Sequence, residues 1–181
     1  MSFVIAIDVG VKNLGFSVYD LRTCRLVQWK NVPICGTGAY QASKNVEYVH
    51  RFIDENAIFF ADLHTLLVER QMRVNMKVIE AAFQSRFFDR TRVLAAQCIK
   101  MHFGLSCQNY RANKKKAIEF VDTNFDGLLT KYAVNMSEWV DLWNESVKKD
   151  DLADSLLMIL YYLHSYSDQA TKVNAEVLGD T

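Results

Sequence analysis

The feature that most constrains this chain is a carboxylate set inside an apolar strand. Phe3 to Val9 reads FVIAIDV, apolar at every position except Asp8. A β-branched run of this kind is a central strand buried on both faces. An unpaired charge is costly to bury there, so Asp8 has to be paired or bind a cation. Gly10 and Gly15, with Lys12-Asn13 between them, break the run and mark a turn. Leu14 to Tyr19 and Arg25 to Val32 alternate as a second and a third strand. Two short connections make the three an antiparallel meander.

Pro33 to Gly38 reads as loop, and from Tyr40 to about Asn56 the positions Val46, Val49, Phe52 and Ile53 recur at helical spacing. Leu63 to Val68 returns to strand character, with Glu69 directly at its end. Met76 to Phe88 is helix-like, with Val78, Ile79, Ala82, Phe83 and Phe87 on one stripe. From Arg92 to Tyr110 two readings stay open: a strand over Arg92 to Ala96, or a helix continuing to Phe103. Lys114 to Phe125, Ser137 to Trp143 and Asp151 to about Tyr166 read as helices. The order predicts a layered α/β domain with a mixed sheet over 1–167, followed by a polar tail over 168–181.

Half of the 181 residues are hydrophobic, which argues against disorder. The longest strongly apolar run, Leu156 to Leu163, is far short of the ~20 residues that span a bilayer. The first residues lack a signal-peptide layout, so an intracellular protein without membrane attachment is expected. Cys24, Cys35, Cys98 and Cys107 form no C-x-x-C pair and read as free thiols. His50, His64, His102 and His164 are scattered, with no pair at one-turn spacing, which gives a histidine metal site little support.

Glu69 repeats the pattern of Asp8, an acid ending a buried strand. Asp151 and Asp154 are three apart and share one face of the last helix, beside Leu152, Leu156, Ile159, Leu160 and Leu163. Taken singly, these acids have plain explanations: a satisfied strand acid, a surface Glu, a helix cap. Together they would converge at one sheet edge. Four clustered carboxylates repel unless divalent cations neutralise them, and all-oxygen ligation suits Mg²⁺ or Mn²⁺. Two such ions ~4 Å apart can activate a water and stabilise the leaving oxygen of a phosphodiester.

Lys and Arg total 21 and so do Asp and Glu, but the charges are segregated. Glu69 to Glu119 holds eleven basic residues against four acids, a balance of +7, and the remainder carries −7. The densest part is Arg111-Ala112-Asn113-Lys114-Lys115-Lys116. Bases at a helix start oppose the helix dipole, a conflict that an anionic partner such as phosphate relieves. Lys12, Arg70, Arg73, Arg111, Lys114, Lys115 and Lys116 are the candidate phosphate-contacting residues.

Ile5-Ala6-Ile7-Asp8-Val9-Gly10-Val11-Lys12-Asn13, Leu67-Val68-Glu69-Arg70-Gln71, Tyr110-Arg111 through Lys116, and Lys149-Asp150-Asp151-Leu152-Ala153-Asp154-Ser155 follow in order. In motif, order and spacing the chain resembles the RuvC-like Holliday junction resolvases of poxviruses and other large DNA viruses. The resemblance runs from Val4 to Leu163. It implies an RNase H-like fold with a central mixed five-stranded sheet, three antiparallel strands then parallel ones, flanked by helices. It also implies a homodimer that cuts paired strands of four-way DNA junctions, resolving recombination or concatemeric replication intermediates. Two Mg²⁺ or Mn²⁺ ions per site, and no organic cofactor, come with it. The family's metal-binding carboxylates fall on Asp8, Glu69, Asp151 and Asp154. Its active-site lysine falls on Lys115, with Lys114 the alternative, and its setting is the host cytoplasm if the source is viral. Gln97 stands where the family pattern has a proline, and Asp150 adds a fifth acid beside the pair. Two rival readings share the fold: a nucleic-acid-binding protein without catalysis, and a nuclease of flaps or RNA–DNA hybrids without junction specificity. The D-x-G and K-N-x-G pieces also resemble the phosphate loop of actin-like ATPases, but those need two lobes and have no place for the Asp151/Asp154 helix.

Overall fold

The computed structural model describes residues 1–107, 109–132 and 136–179. Three strands open the chain: β1 (Phe3–Val9), β2 (Asn13–Asp20) and β3 (Arg25–Pro33). A 3-10 turn (Ala42–Lys44) leads into α1 (Asn45–Glu55) and the short α2 (Ala57–Ala61), before β4 (Leu63–Glu69). Then come α3 (Val74–Arg86), β5 (Thr91–Leu94), α4 (Ala96–His102) and α5 (Tyr110–Tyr132). A second 3-10 turn (Met136–Trp139), α6 (Val140–Glu145) and α7 (Lys149–Gly179) complete it.

The five strands form one sheet in the order β3-β2-β1-β4-β5. The meander β1-β2-β3 is antiparallel, while β4 lies parallel to β1 and β5 parallel to β4. This is the mixed sheet expected from the sequence. Of the two readings of 92–110 the strand holds, over Thr91–Leu94; the preceding helix does not continue to Phe103 but ends at Arg86, and Ala96–His102 is a separate helix. The helix read as Met76 to Phe88 runs instead from Val74 to Arg86, and Val78 of its expected core stripe is exposed. The last helix starts at Lys149 rather than Asp151 and continues to Gly179, through most of the stretch read as a tail. Residues 180 and 181 of that stretch lie outside the described residues.

Alternation along β1 places the site. Ile5, Ile7 and Val9 pack on one face with Val49, Phe52 and Phe83 from α1 and α3. Val4 and Ala6 pack on the other with Leu152, Leu156 and Leu160 of α7. Asp8 belongs to this second set, because successive side chains point to opposite faces. Leu67 of β4 lies on the α7 face while Leu66 and Val68 lie opposite, so Glu69 follows Leu67. Both strand-end acids therefore face the helix that carries Asp151 and Asp154.

α7 is pinned to the sheet by polar contacts as well as apolar ones. The Trp29 indole N–H donates to the Leu152 carbonyl at 2.9 Å, and the buried Ser17 and Ser155 hydroxyls bond at 2.7 Å. The Asn31 side-chain amide reaches the Lys148 carbonyl at 3.0 Å. A helix start fixed at three points cannot slide, so its first-turn acids are held in register with β1.

Candidate active site

The register of β1 and β2 sets Asp8 opposite Gly15. A Cβ on Gly15 would lie 3.1 Å from the Asp8 Cβ and 2.3 Å from the Asp151 carbonyl oxygen. Only glycine lets the first turn of α7 lie against β2 here. Gly10 serves the turn before it, where a Cβ would stand 2.2 Å from the Asn13 carbonyl oxygen. On the other side of β1, Ile7 pairs with Val68, so Asp8 and Glu69 end adjacent strands together.

Asp8, Glu69, Asp151 and Asp154 all line one cavity of about 730 Å³, with Lys100 and Lys114 on its wall. Burial pushes the Asp8 carboxyl well above its usual range, and the Glu69 carboxylate, which shares a hydrogen bond with it, adds to the rise. Burial also raises Asp154, to about 6, against the opposing pull of Lys100 and with the push of Glu69. Asp151 is raised by burial first and by Asp150 second. Asp150 goes the other way: burial works against it, but hydrogen bonding and attraction from Lys114 outweigh that and hold the carboxyl low.

Among the described residues no three His, Cys, Asp or Glu side chains are already closed around one point as a metal cage. The donor set nevertheless fits a hard dication. Three of the acids are raised by burial first and by neighbouring carboxylates second, and a bound cation offsets both effects.

The basic residues divide. Arg70, Arg73 and Lys114 line the cavity, and Lys114 pairs with Asp150. Lys115 does not come to the site. Its side chain is 78% exposed and its ammonium pairs with Glu119 on the same helix at 3.3 Å. Of the two lysines left open by the resemblance, the structure places Lys114 on the cavity wall and Lys115 away from it. One residue along an α-helix turns the side chain by about 100°, and motif spacing alone does not fix that angle. Lys12 and Arg111 are exposed and Lys116 partly so, and none of the three lines the cavity.

Two contributors were missed in the sequence. Lys100, with its side chain 9% exposed, lies 3.4 Å from Asp154 and pairs with it. Its signal was its place in the apolar run Cys98-Ile99-Lys100-Met101, where a lysine has to be paired, as Asp8 has to be. Gln71, quoted in the second motif without a role, donates to the Glu69 Oε2 at 3.0 Å.

A family model described as Poxvirus A22 protein matches residues 2–165. Among solved structures, the yeast mitochondrial Holliday junction resolvase Ydc2 is similar at 19% identity and TM-score 0.65, covering 95% of this chain and 86% of that one. The fowlpox virus resolvase in complex with Holliday junction DNA is similar at 16% identity and TM-score 0.60, covering 91% and 98%. Thermus thermophilus RuvC follows at 16% identity and TM-score 0.56, covering 93% and 96%. These likenesses are of fold, and they make the expected RNase H-like architecture a finding. No curated relative matches the chain at a significant level. Since the family model takes in nearly the whole sequence, the chain belongs to the poxvirus A22 protein family.

Proposed function

We propose that this protein is a divalent-metal-dependent endonuclease that cuts four-way DNA junctions. The observation that carries the reading is the convergence of Asp8, Glu69, Asp151 and Asp154 on one cavity walled by Lys100, Lys114, Arg70 and Arg73. The fold is that of the junction resolvases named above, one of them seen with its junction.

Asp8, Glu69, Asp151 and Asp154 would hold two Mg²⁺ or Mn²⁺ ions, which when bound activate water and offset charge on the leaving oxygen. The chain's own contribution is positional. A cation would be held by these carboxyls in their charged form, so metal binding would strengthen as pH rises. Lys114, fixed by Asp150, stands where a scissile phosphate would enter and supplies positive charge as that phosphate becomes more anionic. Arg70 and Arg73 at the mouth meet flanking phosphates without reading bases.

A four-way junction is two-fold symmetric, so paired incisions call for two sites related by that symmetry. A homodimer supplies them, and α3 offers the surface. Val74, Val78, Ala81 and Ser85 are all exposed and alternate at spacings of four and three, the repeat of a helix–helix seam. Phe83, on the stripe expected to face the core, is fully buried there.

Asp154→Asn tests the site. It keeps the shape and removes the charge, so junction binding persists and cleavage falls by at least about a hundredfold, the scale of losing one preorganised electrostatic group. Cleavage within threefold of wild type would refute the assignment.

A further inference from the structure

Gln71 is buried, 5% exposed, just past the end of β4. Its side-chain amide turns back and donates both to the Glu69 carboxylate Oε2 at 3.0 Å and to the Glu69 carbonyl at 3.1 Å. Its own backbone N–H is taken by the Glu80 carboxylate of α3 at 2.6 Å. On the opposite flank the Arg70 N–H donates to the Leu94 carbonyl of β5 at 2.7 Å. The chain leaving Glu69 is thus tied to a strand on one side and to a helix on the other. The Glu69 carboxylate meets Asp8 and Gln71 together. An amide in this place does something a packing residue does not. It supplies two N–H donors and no charge, so it fixes a carboxylate's rotation without competing for a cation.

We propose that Gln71 is the positioning residue of the metal site. It sets the orientation in which Glu69 presents oxygen to a divalent cation, and Glu80 extends that support to α3. The inference rests on Glu69 being a metal ligand, but it does not depend on junction cleavage. Hydrogen bonds behind ligating carboxylates are worth about 10–100-fold in metal affinity.

The test is a calorimetric titration of the full-length protein with Mn²⁺ in the absence of DNA, beside junction binding measured in EDTA. Gln71→Leu keeps the volume and removes both donors. It should weaken Mn²⁺ binding at least about tenfold and leave junction affinity in EDTA within about twofold. Mn²⁺ affinity equal to wild type would overturn the proposal, whatever happens to thermal stability. If Gln71→Leu does not fold, Glu80→Ala against Glu80→Gln decides, since the amide oxygen of the second still accepts from the Gln71 N–H. Weaker Mn²⁺ binding by Glu80→Ala alone supports the tie, and equal affinities in the two variants overturn it. Should wild type itself bind no Mn²⁺, the metal reading of the site fails and this inference fails with it. Loss confined to the variants, or its absence, speaks to Gln71 alone.

Discussion

Gly15 and Asp151 are in backbone contact: a Cβ on the glycine would stand 2.3 Å from the aspartate's carbonyl oxygen. That contact brings the first turn of α7 to the end of β1, and with it the acids of the helix to Asp8. Gly15→Ala should therefore displace the helix start. Overpacking of this kind costs about 1–3 kcal/mol, readable by urea denaturation, and cleavage should fall further than the stability loss explains. Wild-type cleavage in Gly15→Ala would show that the approach is not required.

The two adjacent lysines separate positioning from sequence proximity. Lys114 lines the cavity and pairs with Asp150, whereas Lys115 pairs with Glu119 in solvent. Lys114→Met should lower the cleavage rate by about 10²-fold. Lys115→Met should change it less than about fivefold, since an exposed ion pair is worth at most ~1 kcal/mol. Single-turnover rates on a labelled junction read both, and the opposite ranking would return Lys115 to the site.

How much of this was legible in the sequence follows from what each signal measures. Asp8 and Glu69 could be read from one chain segment each, because a charge ending an apolar strand is locally anomalous. Asp151 and Asp154 were legible as a pair through helical spacing. The choice between Lys114 and Lys115 depends on how α5 is rotated against α7, and a basic run carries no apolar stripe to report that angle. Gln71 and Lys100 act through contacts across elements, with Glu80 of α3 and Asp154 of α7, and no local pattern encodes such partners. The sheet was readable because meander and buried strand have distinct patterns. The end of α7 was not, since its last turns lack the apolar periodicity that marks its beginning.

The raised carboxyls give the metal-free protein an unusual pH dependence. Asp154 is lifted to about 6, chiefly by burial, so the folded state holds its proton after the unfolded chain has lost one. Its contribution is greatest below the ordinary carboxyl range and is lost as pH rises from about 4 to about 6, at 1.36 kcal/mol per pKa unit. Asp8, also raised by burial and by Glu69, acts in the same direction. In EDTA, the melting temperature should rise as pH falls from 8 to 5.5, and Asp154→Asn should flatten the slope. Added Mg²⁺ should stabilise more at pH 8 than at pH 6. A metal-free protein that melts lower at pH 5.5 than at pH 8 would contradict the crowded-carboxylate account.

The exposed stripe of α3 predicts the assembly. Val78, 39% exposed, lies mid-stripe, and Val78→Arg would place a charge in the seam. Sedimentation equilibrium at micromolar concentration should show a dimer for wild type and a monomer for the variant, with unchanged far-UV circular dichroism. Monomeric wild type would remove α3 as the contact.

The most direct measurement compares initial cleavage rates on a synthetic four-way junction and on linear duplexes of the same arm sequences, in Mg²⁺ and in EDTA. The account predicts paired, symmetric incisions of the junction that require Mg²⁺, at least about tenfold faster than any cutting of the duplexes, a preference of ~1.4 kcal/mol. Asp8→Asn, which removes one carboxylate of the four, should abolish them. Equal cutting of junction and duplex, or junction cleavage that persists in EDTA, would contradict it.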